Sequence, residues 1–162
     1  MTHRRFIAAL AVAVPLVLAQ SADALIVPQD NIAGVKIGMS QEKVLDVLGD
    51  PAQTITDRDG ITTYTYRKKG IKVLFRPGST VNRAVSINVY QHRRQLTARG
   101  VGLADTRRTV RKKVPGVKCH RYDPSYAICL VGSGKTGRIS TTFWLTRKNK
   151  VKLVTLSKPF LD

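Results

Sequence analysis

The chain has 162 residues, 28 Lys and Arg against 10 Asp and Glu, and a formal net charge of +18. That length suits one domain with a real core, and the charge excludes a neutral surface, because such a chain repels itself and attracts polyanions over long range. Two cysteines and three histidines are too few for the common metal and redox motifs, and no C-x-x-C, H-E-x-x-H or G-x-S-x-G occurs.

The first 24 residues have the parts of a secretory signal: Arg4 and Arg5, an apolar stretch from Phe6 to Leu18, and Ala22-Asp23-Ala24 as a small-x-small cleavage site. The stretch is shorter than the roughly 20 apolar residues a spanning helix needs, no later segment is more apolar, and no cysteine stands at the cleavage site to take a lipid. The expected product is secreted or extracytoplasmic, without a transmembrane segment, and monomeric. Its 138 residues hold 26 Lys and Arg against nine Asp and Glu, a net charge of +17.

A repeat follows. Val35-Lys36-Ile37-Gly38-Met39-Ser40 and Val101-Gly102-Leu103-Ala104-Asp105-Thr106 share one order of apolar, small and hydroxyl residues, 66 positions apart. Ser40 and Thr106 suit helix caps. Apolar residues then recur four apart at Val44 and Leu48, and at Val110 and Val114. Gly49 and Pro51 end the first helix, Pro115 and Gly116 the second. The period next changes to two, which predicts strands over Ile61–Arg67, Ile71–Arg76 and Arg83–Tyr90, and over Ser125–Val131, Arg138–Thr146 and Val151–Ser157. The expected fold class is α+β: two tandem α-β-β-β units, 25–92 and 101–162 with a linker at 93–100, forming one continuous antiparallel sheet with short helices on one face.

Alternation assigns the faces. If Val73, Phe75, Val85, Ile87 and Val89 face the helices, then Lys72, Arg76, Ser86, Asn88 and Tyr90 face out. Tyr64 and Tyr66 share a face, and Trp144 opposes Phe143 and Leu145. Trp144 has two readings of equal weight, a core-filling ring or a presented one. Together these residues predict a wide basic surface bearing aromatic rings.

Cys119 and Cys129 both fall in the exported part, where oxidising conditions close a disulfide. Gly132-Ser133-Gly134-Lys135-Thr136 contains G-K-T, but a phosphate loop needs Gly where Cys129 stands, so a hairpin turn is expected. Basic residues cluster at Arg67-Lys68-Lys69, at Arg107-Arg108 with Arg111-Lys112-Lys113, and at Arg147-Lys148 with Lys150 and Lys152. On a helix Arg107 lies over Arg111 and Arg108 over Lys112, pairs that repel until an anion binds. A catalytic group would need Asp123, His120 and a hydroxyl in one pocket, and nothing in the sequence favours that.

The run from Ile37 to Pro51 resembles the helix motif of the beta-lactamase-inhibitor-like superfamily, which includes small envelope-assembly lipoproteins and secreted two-unit inhibitory proteins. A cysteine after the second helix joined to one in the next strand, and the closing hairpin Thr142-Phe143-Trp144-Leu145-Thr146, extend the resemblance over most of the mature chain. It implies a concave binding sheet with Trp144 on it. The turn Lys68-Lys69-Gly70 departs from the acidic, tyrosine-rich turn of the inhibitory members, and a charge reversal there disfavours their target; the first unit also lacks cysteines. The expected function is non-enzymatic and cofactor-free. The protein binds an acidic protein or an anionic envelope polymer, possibly as an enzyme inhibitor, through Trp144, Tyr64, Tyr66, Lys68, Lys69, Tyr90, Arg108, Arg111 and Lys112. Cell-envelope assembly or maintenance is the alternative, and specific nucleic-acid binding is not expected of an exported chain.

Overall fold

The computed structural model describes residues 25–78, 81–91, 95–122 and 125–158; the expected signal peptide, Ser79, His92 and Asp123 lie outside them. Ser40 and Thr106 do cap helices. Each hydroxyl accepts the backbone N–H three residues on, from Lys43 and Thr109, pairing an amide that the first helical turn otherwise leaves open. The helices are α1, Gln41–Leu48, and α2, Arg107–Lys113. Gly49 stops α1 at φ 76°, a conformation that side chains with a Cβ avoid, and α2 ends at Val114, just before Pro115.

Three two-residue strands, β1 (Ile26–Val27), β2 (Asn31–Ile32) and β3 (Val35–Lys36), form a small antiparallel sheet ahead of α1. Four strands follow α1: β4 (Gln53–Thr56), β5 (Thr62–Tyr66), β6 (Ile71–Arg76) and β7 (Arg83–Val89). Four more follow α2: β8 (Lys118–Arg121), β9 (Ala127–Gly132), β10 (Ser140–Leu145) and β11 (Val151–Ser157). These eight make one antiparallel sheet in the order β4-β5-β6-β7-β11-β10-β9-β8. The class is α+β, with three central strands on each side close to their predicted bounds.

The sequence pattern missed β4 and β8, and both are edge strands. All four residues of β4 are exposed and three of the four in β8 are, so neither needs the apolar alternation by which a half-buried strand is recognised. It missed β1–β3 because two residues are too few to display a period.

Opposed residues share a face, so the register sorts the side chains. Val73 lies opposite Ile87, Val89 opposite Val154, and Val154 opposite Phe143. All are buried in one cluster with Val44 and Leu48 of α1, Val110 and Val114, and Ile26, Ile32 and Val35. Both helices and the small sheet therefore cover one face of the large sheet. One core assignment needs correcting: a bulge after Leu74 pairs Phe75 with Ala84, so Ala84 takes the buried position and Val85 is only half-buried. The G-K-T segment forms the turn between β9 and β10, with a strand rather than a helix on its far side.

Candidate binding surfaces

The second face of the sheet has no helix among the described residues. One row of its side chains crosses all eight strands: Gln53, Thr65, Lys72, Asn88, Thr155, Thr142, Leu130 and Lys118, each opposite the next. A neighbouring row joins Leu153, Trp144, Ile128 and His120. Neither row contains Asp or Glu. Small side chains sit low in this face, so Thr142 and Thr65 are buried there, while Lys72 is exposed and Trp144 half-buried.

Trp144 is held in place by hydrogen bonds across three strands. Its indole N–H donates to Thr155 Oγ1 at 3.2 Å, the Thr155 hydroxyl donates to Asn88 Oδ1 at 2.8 Å, and the Asn88 amide donates to Ser86 Oγ at 3.3 Å. Each polar atom in the chain is thus fixed by the next. From Trp144 the rings continue outward: Tyr126 lies 6.4 Å away, and Tyr122 stacks on Tyr126 at 5.5 Å with planes 10° apart. Tyr122 is 62% exposed. Farther along the same face Lys72 Nζ stands 5.2 Å from the centre of the Tyr90 ring, a cation–π distance. Sequence reasoning overlooked Tyr122 and Tyr126, since neither belongs to an alternating run; their only signal was two tyrosines inside the span around a cysteine-bracketed hairpin.

The predicted binding residues separate into three places. Trp144 and Tyr90 belong to the open face. Tyr64 and Tyr66 do share a face, but it is the helix side: Tyr64 is opposite Val73 and packs edge-on against Phe75 at 4.8 Å, and Tyr66 is opposite Ile71 and 3% exposed. Register with the buried residues of β6 decides this, and it removes Tyr66 from any surface role. Burial, with Tyr64 and Asp50 nearby, pushes the Tyr66 hydroxyl pKa up to about 12, and that oxygen has no hydrogen-bond partner among the described residues. Lys68 and Lys69 occupy a short 3₁₀ turn between β5 and β6, where the Lys69 carbonyl accepts from the Gln95 amide. Beside them a cavity of about 620 Å³ is lined by Leu25, Ala33, Val47 and Leu48.

Arg108, Arg111 and Lys112 project from α2, across the sheet from Trp144, so they cannot share its surface. They line an open cavity of about 850 Å³ with Thr106, Arg107, Lys148 and Asn149. The β10–β11 turn reaches it because the Arg107 N–H donates to the Asn149 carbonyl at 2.8 Å and Thr106 bridges to Lys150. Two basic clusters some 40 residues apart in sequence thereby become one. The Arg107 guanidinium turns inward and donates from Nη2 to the Cys119 carbonyl at 3.1 Å. Cys119 and Cys129 are disulfide-bonded, opposite one another in β8 and β9 on the helix side. Bond and bridge together tie α2 to the outer edge of the sheet.

His120 is exposed on β8, and among the described residues no three His, Cys, Asp or Glu side chains gather as a metal-holding group. Nor is any helix among them long and apolar enough to cross a membrane.

The fold and surfaces together define an α+β protein with one helix-covered sheet face and one open, basic and aromatic face. No protein-family model matches the chain, and no curated protein matches it. Among solved structures it is similar to a DUF4309 family protein of Bacillus subtilis, at 16% identity and a TM-score of 0.47, over 86% of each chain. It is also similar to an extracellular SCP-domain protein of Bacillus anthracis, at 13% identity and a TM-score of 0.47, over 75% of this chain and 44% of that one. A cysteine-rich secretory protein of Staphylococcus aureus matches at 12% identity and a TM-score of 0.44, with the same coverage. Similarity at this level does not bear on what the chain does.

Proposed function

We propose that this is a secreted, non-enzymatic binding protein that presents its open sheet face to an acidic protein. The observation behind this reading is the position of Trp144, away from the helices and hydrogen-bonded in place, at the inner end of a run of tyrosines. Large aromatic rings in fixed positions are the usual anchors of a protein interface, and the cationic, acid-free rows around Trp144 complement an acidic partner. The disulfide fits an oxidising compartment, as does the signal-like start of the sequence.

The tandem-unit reading, and with it kinship to the beta-lactamase-inhibitor-like superfamily, draws support from repeated backbone contacts. The Gly38 N–H donates to the Ala84 carbonyl and the Ala84 N–H to the Met39 carbonyl; 66 residues on, Ala104, Val151 and Asp105 repeat the pattern. Capping by Ser40 and Thr106 has the same offset. An enzyme with an acidic rim is one partner such a face suits.

Affinity capture from native envelope and culture fluid, with wild type beside Trp144→Ala, tests the reading. Partners should be recovered by wild type and lost from the variant; equal recovery would remove Trp144 and the open face from the account. The electrostatic part predicts weaker capture at high salt. Envelope assembly or maintenance is the second reading, favoured by the cationic cavity lying on the opposite side of the sheet, where one molecule has room to join two envelope components.

A further inference from the structure

The α2 cavity has a composition unlike that of the open face. Its seven lining residues are Thr106, Arg107, Arg108, Arg111, Lys112, Lys148 and Asn149: five cations, two neutral polar groups, no carboxylate and no apolar side chain. Among the described residues Arg108, Arg111, Lys112 and Lys148 have no ion pair with an acid. We infer that this cavity is a second binding site, independent of Trp144, for an envelope polymer bearing closely spaced phosphate groups.

A protein partner is the poorer fit, because the buried centre of a protein interface is depleted of charge and rich in apolar anchors, and this cavity has none to meet them. A linear polyanion needs only successive cations. Arg107 and Arg111, like Arg108 and Lys112, are four residues apart on α2, about 6 Å along the helix axis, so one strand of charge passes them in sequence. Guanidinium groups favour phosphate because their forked donors match its oxygens.

The site is also held in shape. Asn149 accepts from the Arg107 backbone and, through Oδ1, from Arg121 Nη2 at 3.4 Å, which keeps Lys148 beside α2. Arg107 Nε is shielded from solvent and has no partner among the described residues, leaving one donor at the cavity wall for a ligand oxygen. The first half offers no counterpart, since α1 has Glu42 and Asp46 in its exposed turns.

The test uses the whole exported chain and inorganic polyphosphate of defined length as the probe. Substituting Arg108, Arg111 and Lys112 together by Ala should weaken binding about tenfold or more, with a shallower salt dependence. A control triple with the same loss of charge, Lys43→Ala, Arg58→Ala and Lys135→Ala, should change it less than about threefold if position matters beyond total charge. Trp144→Ala should bind polyphosphate as wild type does, and polyglutamate of equal charge should bind more weakly. Melting of the Arg108, Arg111 and Lys112 triple at or above the wild-type temperature shows that its loss is not unfolding. Equal losses in the two triples would overturn the site. Equal affinity for polyglutamate would overturn the phosphate assignment, tighter binding of single-stranded DNA the envelope assignment, and loss in Trp144→Ala the independence of the two surfaces. Failure of the sheet-face reading leaves these outcomes unchanged, because none of them uses its partner.

Discussion

The two helices begin alike and are used differently. Each starts at a hydroxyl cap, each is linked to the first residues of a central strand, and each buries two apolar residues four apart on the same face of one sheet. Their outer faces diverge: α1 reads QEKVLDVL, with acids and a lysine mixed, whereas α2 reads RRTVRKK. The contrast extends to the halves. Residues 25–92 hold nine Lys and Arg against six Asp and Glu, and residues 101–162 hold 14 against three. Burial constrains the inner face of a helix and leaves the outer one open to other demands. In the second half that outer face accumulates charge of one sign, at a cost in stability and with a gain in attraction for anions.

Core substitutions give the sharpest test of whether the halves fold as one. Phe75→Ala and Phe143→Ala remove fully buried rings on the helix side of the sheet, one from each half, and each should cost about 3–5 kcal/mol. Denaturant unfolding should remain one transition in both variants, because β7 and β11 are hydrogen-bonded neighbours at the centre. Two separate transitions would break the single-sheet picture.

Removing the disulfide, as Cys119→Ser with Cys129→Ser, comes next in size. The loop it closes is short, and its loss should lower stability by about 2.5–3 kcal/mol in the loop-closure account. The loss should loosen the second half in particular, which hydrogen exchange of β8 against β4 would report.

Tyr66→Phe should have the opposite sign. It deletes a buried hydroxyl without a partner, so it should stabilise the first half by up to about 1 kcal/mol at neutral pH. Because the folded-state pKa lies above the ordinary value of 10.0, the wild type keeps its full stability contribution from neutral Tyr66 below pH 10 and loses it between about pH 10 and 12. Thermal melts across that window should fall less steeply in the Phe variant.

Arg108→Gln should give the smallest shift. Relieving its repulsion with Lys112 should stabilise α2 by about 0.2–0.5 kcal/mol, a gain that added salt should shrink. Lys43→Gln on α1 removes a charge flanked by Glu42 and Asp46 and should gain nothing, which would confirm that the strain of like charge belongs to one helix only.

Much of this molecule was legible in its sequence because local rules decided it. The caps at Ser40 and Thr106 were readable, since an N-cap is a contact between residues three apart. The six inner strands were readable because burial on one face forces a period of two. The pairing of Cys119 with Cys129 needed no geometry, as no other cysteine exists. The face of Trp144 was not readable. Alternation says only that Trp144 and Phe143 oppose each other, and it took the pairing of Phe143 with Val154, beneath the helices, to say which of the two is buried. The same holds for Tyr64 and Tyr66, whose shared face was foreseen and whose burial was not. Edge strands β4 and β8 left no pattern because they bury little.

What the sequence determined alone is therefore what neighbours along the chain determine: charge, caps, strand period, the repeat and the disulfide pair. The tertiary structure alone decided the assignment of faces. Strand pairing carried Tyr66 into the core and Trp144 out of it, and the β10–β11 turn, bonded to the start of α2, brought Lys148 to Arg108 and Arg111. A register is a relation between distant segments, and no local period specifies which distant segment a strand will meet.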